Sequence, residues 1–264
     1  MKLTLENYIK NPSGGRTRVA ANQDLVRMQY EERYNKVLLR TAGRIAYALF
    51  KDKEGSRYTL YVRIPSEKTV GLFYDVVLDF TTTNDVQRRV TNIKDYNVRF
   101  FANDPNFMFT YANVFNKDNL LIPELKNKFD PVVFKQRPKV TNPNKIVGYV
   151  KSIYFAYLFY KQKGLENKLA WLNAFPYKQS DINKLCAKGS DKLREAQALS
   201  KLHRTNKYGS VNISQNDLAN PDRLEGKAKE YSNRVQLVKT VDKVKSANLK
   251  RNKGVKTTKR VKYI

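Results

Sequence analysis

Hydrophobic and polar residues alternate along residues 58–64 and again along residues 72–80, and this period of two is typical of half-buried β-strands. The segment PSEKTVG between them supplies residues that favour a turn. A third run of strand-forming residues lies around residues 96–101. The pattern therefore predicts a small antiparallel sheet that begins with a hairpin.

After the third predicted strand, apolar residues recur every three or four positions, which predicts helices. A short aromatic helix is expected over about residues 105–116. The clearest helix is predicted over residues 143–163. Asn142 is a favourable N-cap, Pro143 fits the first helical position, and Gly164 suits a left-handed C-terminal cap.

The two ends of the chain are less apolar than its middle. Residues 11–18, NPSGGRTR, combine Pro, Gly and Arg and predict a flexible arm before helical character begins at Asp24. The segment LENKLAWLNAF extends the helical region to Phe175, and neither Phe nor Trp follows it, so the core is expected to end there. Further helices are predicted to begin near Ser190 and Asn220.

These patterns predict an α+β protein with a small antiparallel sheet, a helical region after it, an extended N-terminal arm and a basic helical C-terminal tail. The last helix has a narrow apolar stripe, which favours packing on a partner or a neighbouring subunit. The predicted regions are a flexible arm with a short helix (1–40), an antiparallel β region (41–104), an aromatic-rich helical core (105–175) and a basic helical extension with a disordered tail (176–264).

Positive charge is concentrated in the last third of the chain. The 51 Lys and Arg residues exceed the 24 Asp and Glu residues by 27, and residues 181–264 carry +13, against +7 for residues 1–100 and +7 for residues 101–180. Residues 234–264 contain eleven basic residues and one acidic residue. Two alternative roles of such a basic block are to aid solubility and to contact acidic protein surfaces. Phosphate contact is favoured, because neutralised phosphates release counterions, and such contact does not read sequence. The predicted nucleic-acid contacts are Lys243, Lys245, Lys250, Arg251, Lys253, Lys256, Lys259, Arg260 and Lys262. DNA is the expected partner, although charge alone does not distinguish DNA from RNA.

The scarcity of His and Cys argues against most enzyme classes. Cys186 and His203 are the single residues of their types, so one chain can form neither an internal disulfide nor a zinc site of Cys and His ligands. The motif GxSxG is absent, and Gly14 and Gly15 lack the following lysine of a phosphate-binding loop. The sequence therefore predicts a protein without catalytic activity, metal or cofactor.

One pair of carboxylates leaves an enzymatic alternative open. Asp75 and Asp79 lie four residues apart in the predicted second strand, hence on one face, and two carboxylates can hold Mg²⁺ for phosphodiester cleavage. A lysine two residues after the second acid, as in restriction-type nucleases, is missing, because Phe80 and Thr81 follow Asp79. The competing interpretation is a solvated strand face with Arg63 opposite on the hairpin.

The segment SIYFAYLFY, residues 152–160, raises two further possibilities. Its helical spacing favours core packing over base stacking, unless Tyr149, Tyr160 and Lys161 lie on the outer face. Its nine uncharged residues are too few to span a membrane, which takes about 20. Residues 1–10 also lack an apolar stretch of signal-peptide length, so an intracellular or particle-bound protein is expected.

Two segments in the middle of the chain resemble a known class of proteins. NVRFFANDPNFMFTYANVFNK, residues 97–117, and NPNKIVGYVKSIYFAYLFYKQKGL, residues 142–165, are similar to stretches of uncharacterised virion structural proteins of tailed bacteriophages, particularly those with AT-rich genomes. The resemblance implies a component of the head, neck or connector region. It implies partners among other particle subunits, a location in the virion, and the host cytoplasm during assembly. It transfers no active-site residue.

Overall fold

The computed structural model describes residues 3–12, 20–41, 43–67, 69, 71–90, 92–135, 147–205, 222–223 and 225–229. It confirms the α+β class. The chain divides into two units, residues 1–196 and residues 197–264. The first unit contains the sheet, and the second includes helical residues 225–229. The predicted basic tail after residue 234 lies outside the described residues.

The sheet has five strands in the order β4-β3-β2-β1-β5. The predicted hairpin and third strand are confirmed as β2, β3 and β4. The sheet is mixed rather than antiparallel, because β5 pairs in parallel with β1 at Phe50 and Lys51. The strands are β1 (Tyr47–Lys51), β2 (Arg57–Pro65), β3 (Phe73–Thr81), β4 (Asn97–Ala102) and β5 (Phe175–Pro176).

The part of the chain that the structure describes contains eight α-helices. They are α1 (Leu5–Lys10), α2 (Ala20–Arg40), α3 (Asp85–Arg89), α4 (Ala112–Lys117), α5 (Val132–Lys135), α6 (Lys151–Gln162), α7 (Gln179–Leu185) and α8 (Gly189–Thr205). One face of the sheet packs on α6, where the ring of Phe80 stacks on that of Tyr160 with centroids 5.3 Å apart. Residues of the loop before α5 and of the segment after β5 cover the other face, so β3 is buried on both sides.

The structure corrects the predicted start of the helix over residues 143–163. Residues 147–150 are not helical, and α6 begins at Lys151, whereas Asn142 and Pro143 lie outside the described residues. A tertiary contact explains the late start. The Tyr8 hydroxyl donates to the Gly148 carbonyl at 2.9 Å and accepts from the Val150 N–H at 3.4 Å, so backbone groups that a helix would use are bound elsewhere. Gly164 has a φ of 61°, which confirms the predicted left-handed end.

The helix predicted over residues 105–116 is present with an irregular first half. Residues Phe107–Tyr111 form a turn of π-helix, and α4 continues to Lys117. The segment after α6 differs more from expectation. A 3-10 turn, Lys168–Trp171, and strand β5 replace the predicted helix up to Phe175. The core also extends past Phe175, because Ile182 and Cys186 belong to it.

The sequence did not predict α1, which belongs to the core. Tyr8 is fully buried, and its ring lies 4.7 Å from that of Phe100 and 6.0 Å from that of Phe115, measured between centroids. Thr4 caps the helix by accepting from the Asn7 N–H. The residues before the Gly-rich stretch are therefore fixed against β4, where Val98 N–H also donates to the Leu3 carbonyl.

We expect Tyr8→Phe to reduce the free energy of unfolding by about 1–2 kcal/mol, because the ring still fills its site while the half-buried Gly148 carbonyl loses its donor. Urea unfolding followed by circular dichroism measures this change. Tyr47→Phe is the matched control, since Tyr47 is half exposed on β1. Equal stability of Tyr8→Phe and the wild type would show that the hydroxyl does not hold the segment before α6.

Candidate functional site

The candidate catalytic carboxylates, Asp75 and Asp79, lie on the same face of β3, as predicted. That face is buried, with Asp75 2% and Asp79 0% exposed, so the solvated strand face proposed as the alternative is wrong. Arg63 is opposite Asp75 in the register of the hairpin, but its guanidinium packs on the ring of Phe73 at 5.0 Å. The two carboxylates are instead the centres of two separate hydrogen-bond networks.

Asp79 forms a bidentate ion pair with Arg57. The Arg57 Nε and Nη2 atoms each donate to one Asp79 oxygen at 2.9 Å, and the Thr59 hydroxyl donates to Asp79 Oδ1 at 2.6 Å. Arg57 Nη1 also donates to Glu124 at 2.9 Å, and its guanidinium lies 3.9 Å from the ring centroid of Tyr177. Burial raises the pKa of Asp79, and the charge of Arg57 opposes that rise.

Asp75 is held by neutral donors. It accepts from the Tyr61 hydroxyl at 2.8 Å, from the Asn103 side chain at 2.8 Å and from the Ala187 N–H at 3.0 Å. Burial beside this carboxylate raises the pKa of the Cys186 thiol, so the thiol stays protonated and is a poor nucleophile. The hydrogen bond from the Ala187 N–H to Asp75 ties the chain after α7 to the sheet.

This arrangement leaves little for a metal to bind. Each oxygen of Asp75 and Asp79 accepts from a protein donor, and the part of the chain that the structure describes contains no group of three His, Cys, Asp or Glu side chains placed to hold a metal. The chemistry that the two carboxylates can perform as they stand is structural. They neutralise a partly buried guanidinium and anchor loops across the sheet.

A cavity of about 400 Å³ lies between α2, the β2–β3 turn and the start of α6. Tyr30, Tyr74 and Phe155 provide its aromatic wall. Asp104 is buried there and accepts from the Ser152 hydroxyl at 2.5 Å and from the Phe107 N–H at 3.0 Å. The carboxylate thus caps the turn that begins at Phe107 and joins it to the Ser152 side chain of α6. Neither His nor Cys is among the described residues that line the cavity, and the Ser152 hydroxyl is held by the buried Asp104 carboxylate.

The charges at the cavity mouth are paired with one another. Arg33 donates to both oxygens of Glu67 at 2.8 and 2.9 Å, and Lys151 Nζ donates to the same carboxylate at 3.1 Å. Arg40 donates to the Glu67 carbonyl at 2.8 Å. The hydrogen bonds from Arg33, together with Lys151, lower the pKa of Glu67 to about 2. The cluster fixes α2 and α6 to the β2–β3 turn.

The lowered pKa of Glu67 makes the stability of the fold depend on pH in the acidic range. The folded pKa of Glu67 is below its ordinary 4.5, so its contribution is complete above pH 4.5 and is lost as the pH falls towards 2. We therefore expect the stability difference between the wild type and Glu67→Gln to be largest at neutral pH and to shrink over that interval. Urea unfolding across pH 2.5–7 measures it. The control is Glu32→Gln, which removes an exposed carboxylate paired with Lys36 and should have a smaller effect. If the stability difference between the wild type and Glu67→Gln stayed constant with pH, the ionisation of Glu67 would not be the source of the acid sensitivity.

The remaining predicted residues are divided between the core and the part of the chain that is not described. Tyr160 is buried, and Tyr149 donates from its hydroxyl to the Ile9 carbonyl at 2.6 Å, so core packing is confirmed over an outer stacking face. The backbone of His203 lies in α8. All nine predicted nucleic-acid contacts, from Lys243 to Lys262, lie outside the described residues.

Sequence reasoning missed the clusters around Arg57, Glu67 and Asp104. Arg57 and Asp79 are 22 residues apart along the chain, Glu67 and Lys151 are 84 apart, and Asp104 and Ser152 are 48 apart, and no local spacing marks such pairs.

Comparison with known proteins adds no relative. No family model, no curated protein and no solved structure matches the chain. Among the described residues, no helix is long and apolar enough to cross a membrane.

Proposed function

We propose that this protein is a non-enzymatic structural component of a tailed-bacteriophage particle, in its head, neck or connector region. In this proposal the folded unit is an anchored subunit, and the basic C-terminal tail contacts packaged nucleic acid without sequence specificity. The particle assignment rests on the resemblance of residues 97–117 and 142–165 to virion structural proteins.

The observation that carries the nucleic-acid role is the separation of charge along the chain. Residues 197–264 hold 17 basic and 5 acidic residues, a net charge of +12 in 68 residues. A density of this kind attracts phosphates through its summed field and through counterion release, and it needs no preformed groove. The engaged state of Asp75 and Asp79 supports a structural role over the nuclease alternative, because metal binding would require both networks to open.

The test is a salt series of binding to duplex and single-stranded DNA, with Mg²⁺ present so that cleavage would be detected. The full chain is compared with a chain that ends at Ala247. Steep, sequence-independent binding that is lost with the tail, and no cut products, is the expected result. Cut products that disappear in Asp75→Asn, with the fold intact, would move the function to the nuclease alternative.

A further inference from the structure

Three large apolar side chains project into solvent from the segment between α6 and α7. Leu169 and Leu172 are each 66% exposed and Phe175 is 61% exposed, whereas Trp171 between them is fully buried. The Trp171 indole donates to the Leu165 carbonyl at 2.8 Å, which fixes the turn and so fixes which residues point outward. We call Leu169, Leu172 and Phe175 the apolar patch. Large exposed apolar side chains grouped within seven residues of the chain point to an interaction site.

The surroundings of the apolar patch are basic. Lys51 Nζ donates to the Leu172 carbonyl at 3.3 Å, and Lys178 is exposed directly after the short strand β5. Residues 167–180 contain two lysines and no acidic residue. Asp52, which follows Lys51, is engaged by the N–H and hydroxyl of Ser56, and Glu166, which precedes the segment, accepts from Lys161. A surface that complements this patch therefore needs apolar side chains with carboxylates around them.

Strand addition at this edge of the sheet is blocked. The Tyr177 N–H donates to the Lys51 carbonyl at 2.8 Å, so the backbone polar groups of residue 177 face β1. Because these groups alternate in direction along a strand, those of residue 176 face the open edge of the sheet. Residue 176 is proline, which has no N–H to donate. A partner must therefore bind through side chains rather than extend the sheet.

We propose that the apolar patch docks a different protein of the same assembly, one that presents apolar side chains surrounded by Asp and Glu. The proposal rests on the proposed function as a particle subunit. A second copy of this chain fits poorly, because a symmetric contact would bring Lys51 and Lys178 of both copies together between two chains of +27. An acidic partner removes that repulsion and neutralises the lysines.

The probe is a synthetic amphipathic peptide with Leu and Phe on one face and Glu on the other, titrated against the full chain by fluorescence anisotropy. The patch variant carries Leu169→Ser, Leu172→Ser and Phe175→Ser, and we expect it to bind about tenfold more weakly. The control variant carries Val86→Ser and Val132→Ser, two exposed apolar residues outside the patch, and should bind as the wild type does. Every variant keeps the tail, so attraction of the peptide to the tail is common to all.

Four results would overturn the proposal. Equal binding of the peptide by the patch and control variants would show that the apolar patch is not its binding site. Equal binding of a peptide with Lys in place of Glu would show that the partner need not be acidic. Self-association of the wild type in sedimentation experiments that the patch variant abolishes would assign the surface to a second copy. Loss of single-stranded DNA binding in Phe175→Ser would assign it to nucleic acid. The DNA affinity of the chain ending at Ala247 is a separate measurement, so failure of the patch and failure of the proposed function are distinguishable.

Discussion

Removal of residues 248–264 is expected to lower the affinity for duplex DNA by on the order of a hundredfold or more at 0.1 M salt, and to reduce the slope of log K against log salt by about 6. The removed segment contains seven basic residues and no acidic residue. Each neutralised phosphate contributes about 0.9 to the slope, so seven contacts account for the expected change. Filter binding or anisotropy across 50–300 mM salt measures both quantities.

Two full-length variants separate charge from sequence in this experiment. Replacing the seven basic residues of residues 248–264 by Gln should reproduce the effect of truncation. Scrambling the order of the same residues should leave affinity and slope as in the wild type, because counterion release depends on the number of charges rather than on their order. A scrambled tail that bound as weakly as the Gln variant would indicate a specific contact. Unchanged affinity after truncation would place the nucleic-acid site within residues 1–247.

Local patterns predicted the elements whose stability is decided locally. The strand-forming residues of 58–64 and 72–80 became β2 and β3, although both strands are buried on both faces rather than half-buried as the alternation predicted. Gly164 ends α6 in the left-handed conformation that its missing Cβ permits. The predictions that failed concern segments whose conformation depends on residues distant in the sequence. Residues 147–150 follow the Tyr8 hydroxyl rather than their helical pattern.

The candidate site shows the same division. The spacing of Asp75 and Asp79 predicted correctly that they share a face, since that follows from the geometry of a strand alone. Whether the face was open or buried depended on the chain after β5, which returns to donate the Ala187 N–H from 112 residues away. The sequence also placed Arg63 opposite Asp75, yet Arg57 is the cation that this face uses, because it reaches Asp79 along the strand direction.

Asp79→Ala is expected to reduce the free energy of unfolding by about 3–5 kcal/mol, the largest stability change predicted for this fold. The carboxylate is fully buried and binds two nitrogens of Arg57. Its removal leaves the guanidinium in a mostly buried site where, among the described residues, Glu124 is the carboxylate that still pairs with it. The Thr59 hydroxyl also loses its acceptor. Urea denaturation at pH 7 measures the change.

The matched control is Asp85→Ala, which breaks an ion pair with Arg88 on the surface, where the Asp85 side chain is 68% exposed. Solvent screens that pair, so its loss should cost under about 1 kcal/mol. A second variant, Asp79→Asn, keeps the shape and one acceptor oxygen and should lie between the control and Asp79→Ala. If Asp79→Ala were as stable as the control, the pair with Arg57 would not be what holds this face together. A carboxylate that costs nothing to remove from a buried site would then need another reason to be there, and Mg²⁺-dependent cleavage would be the first to test.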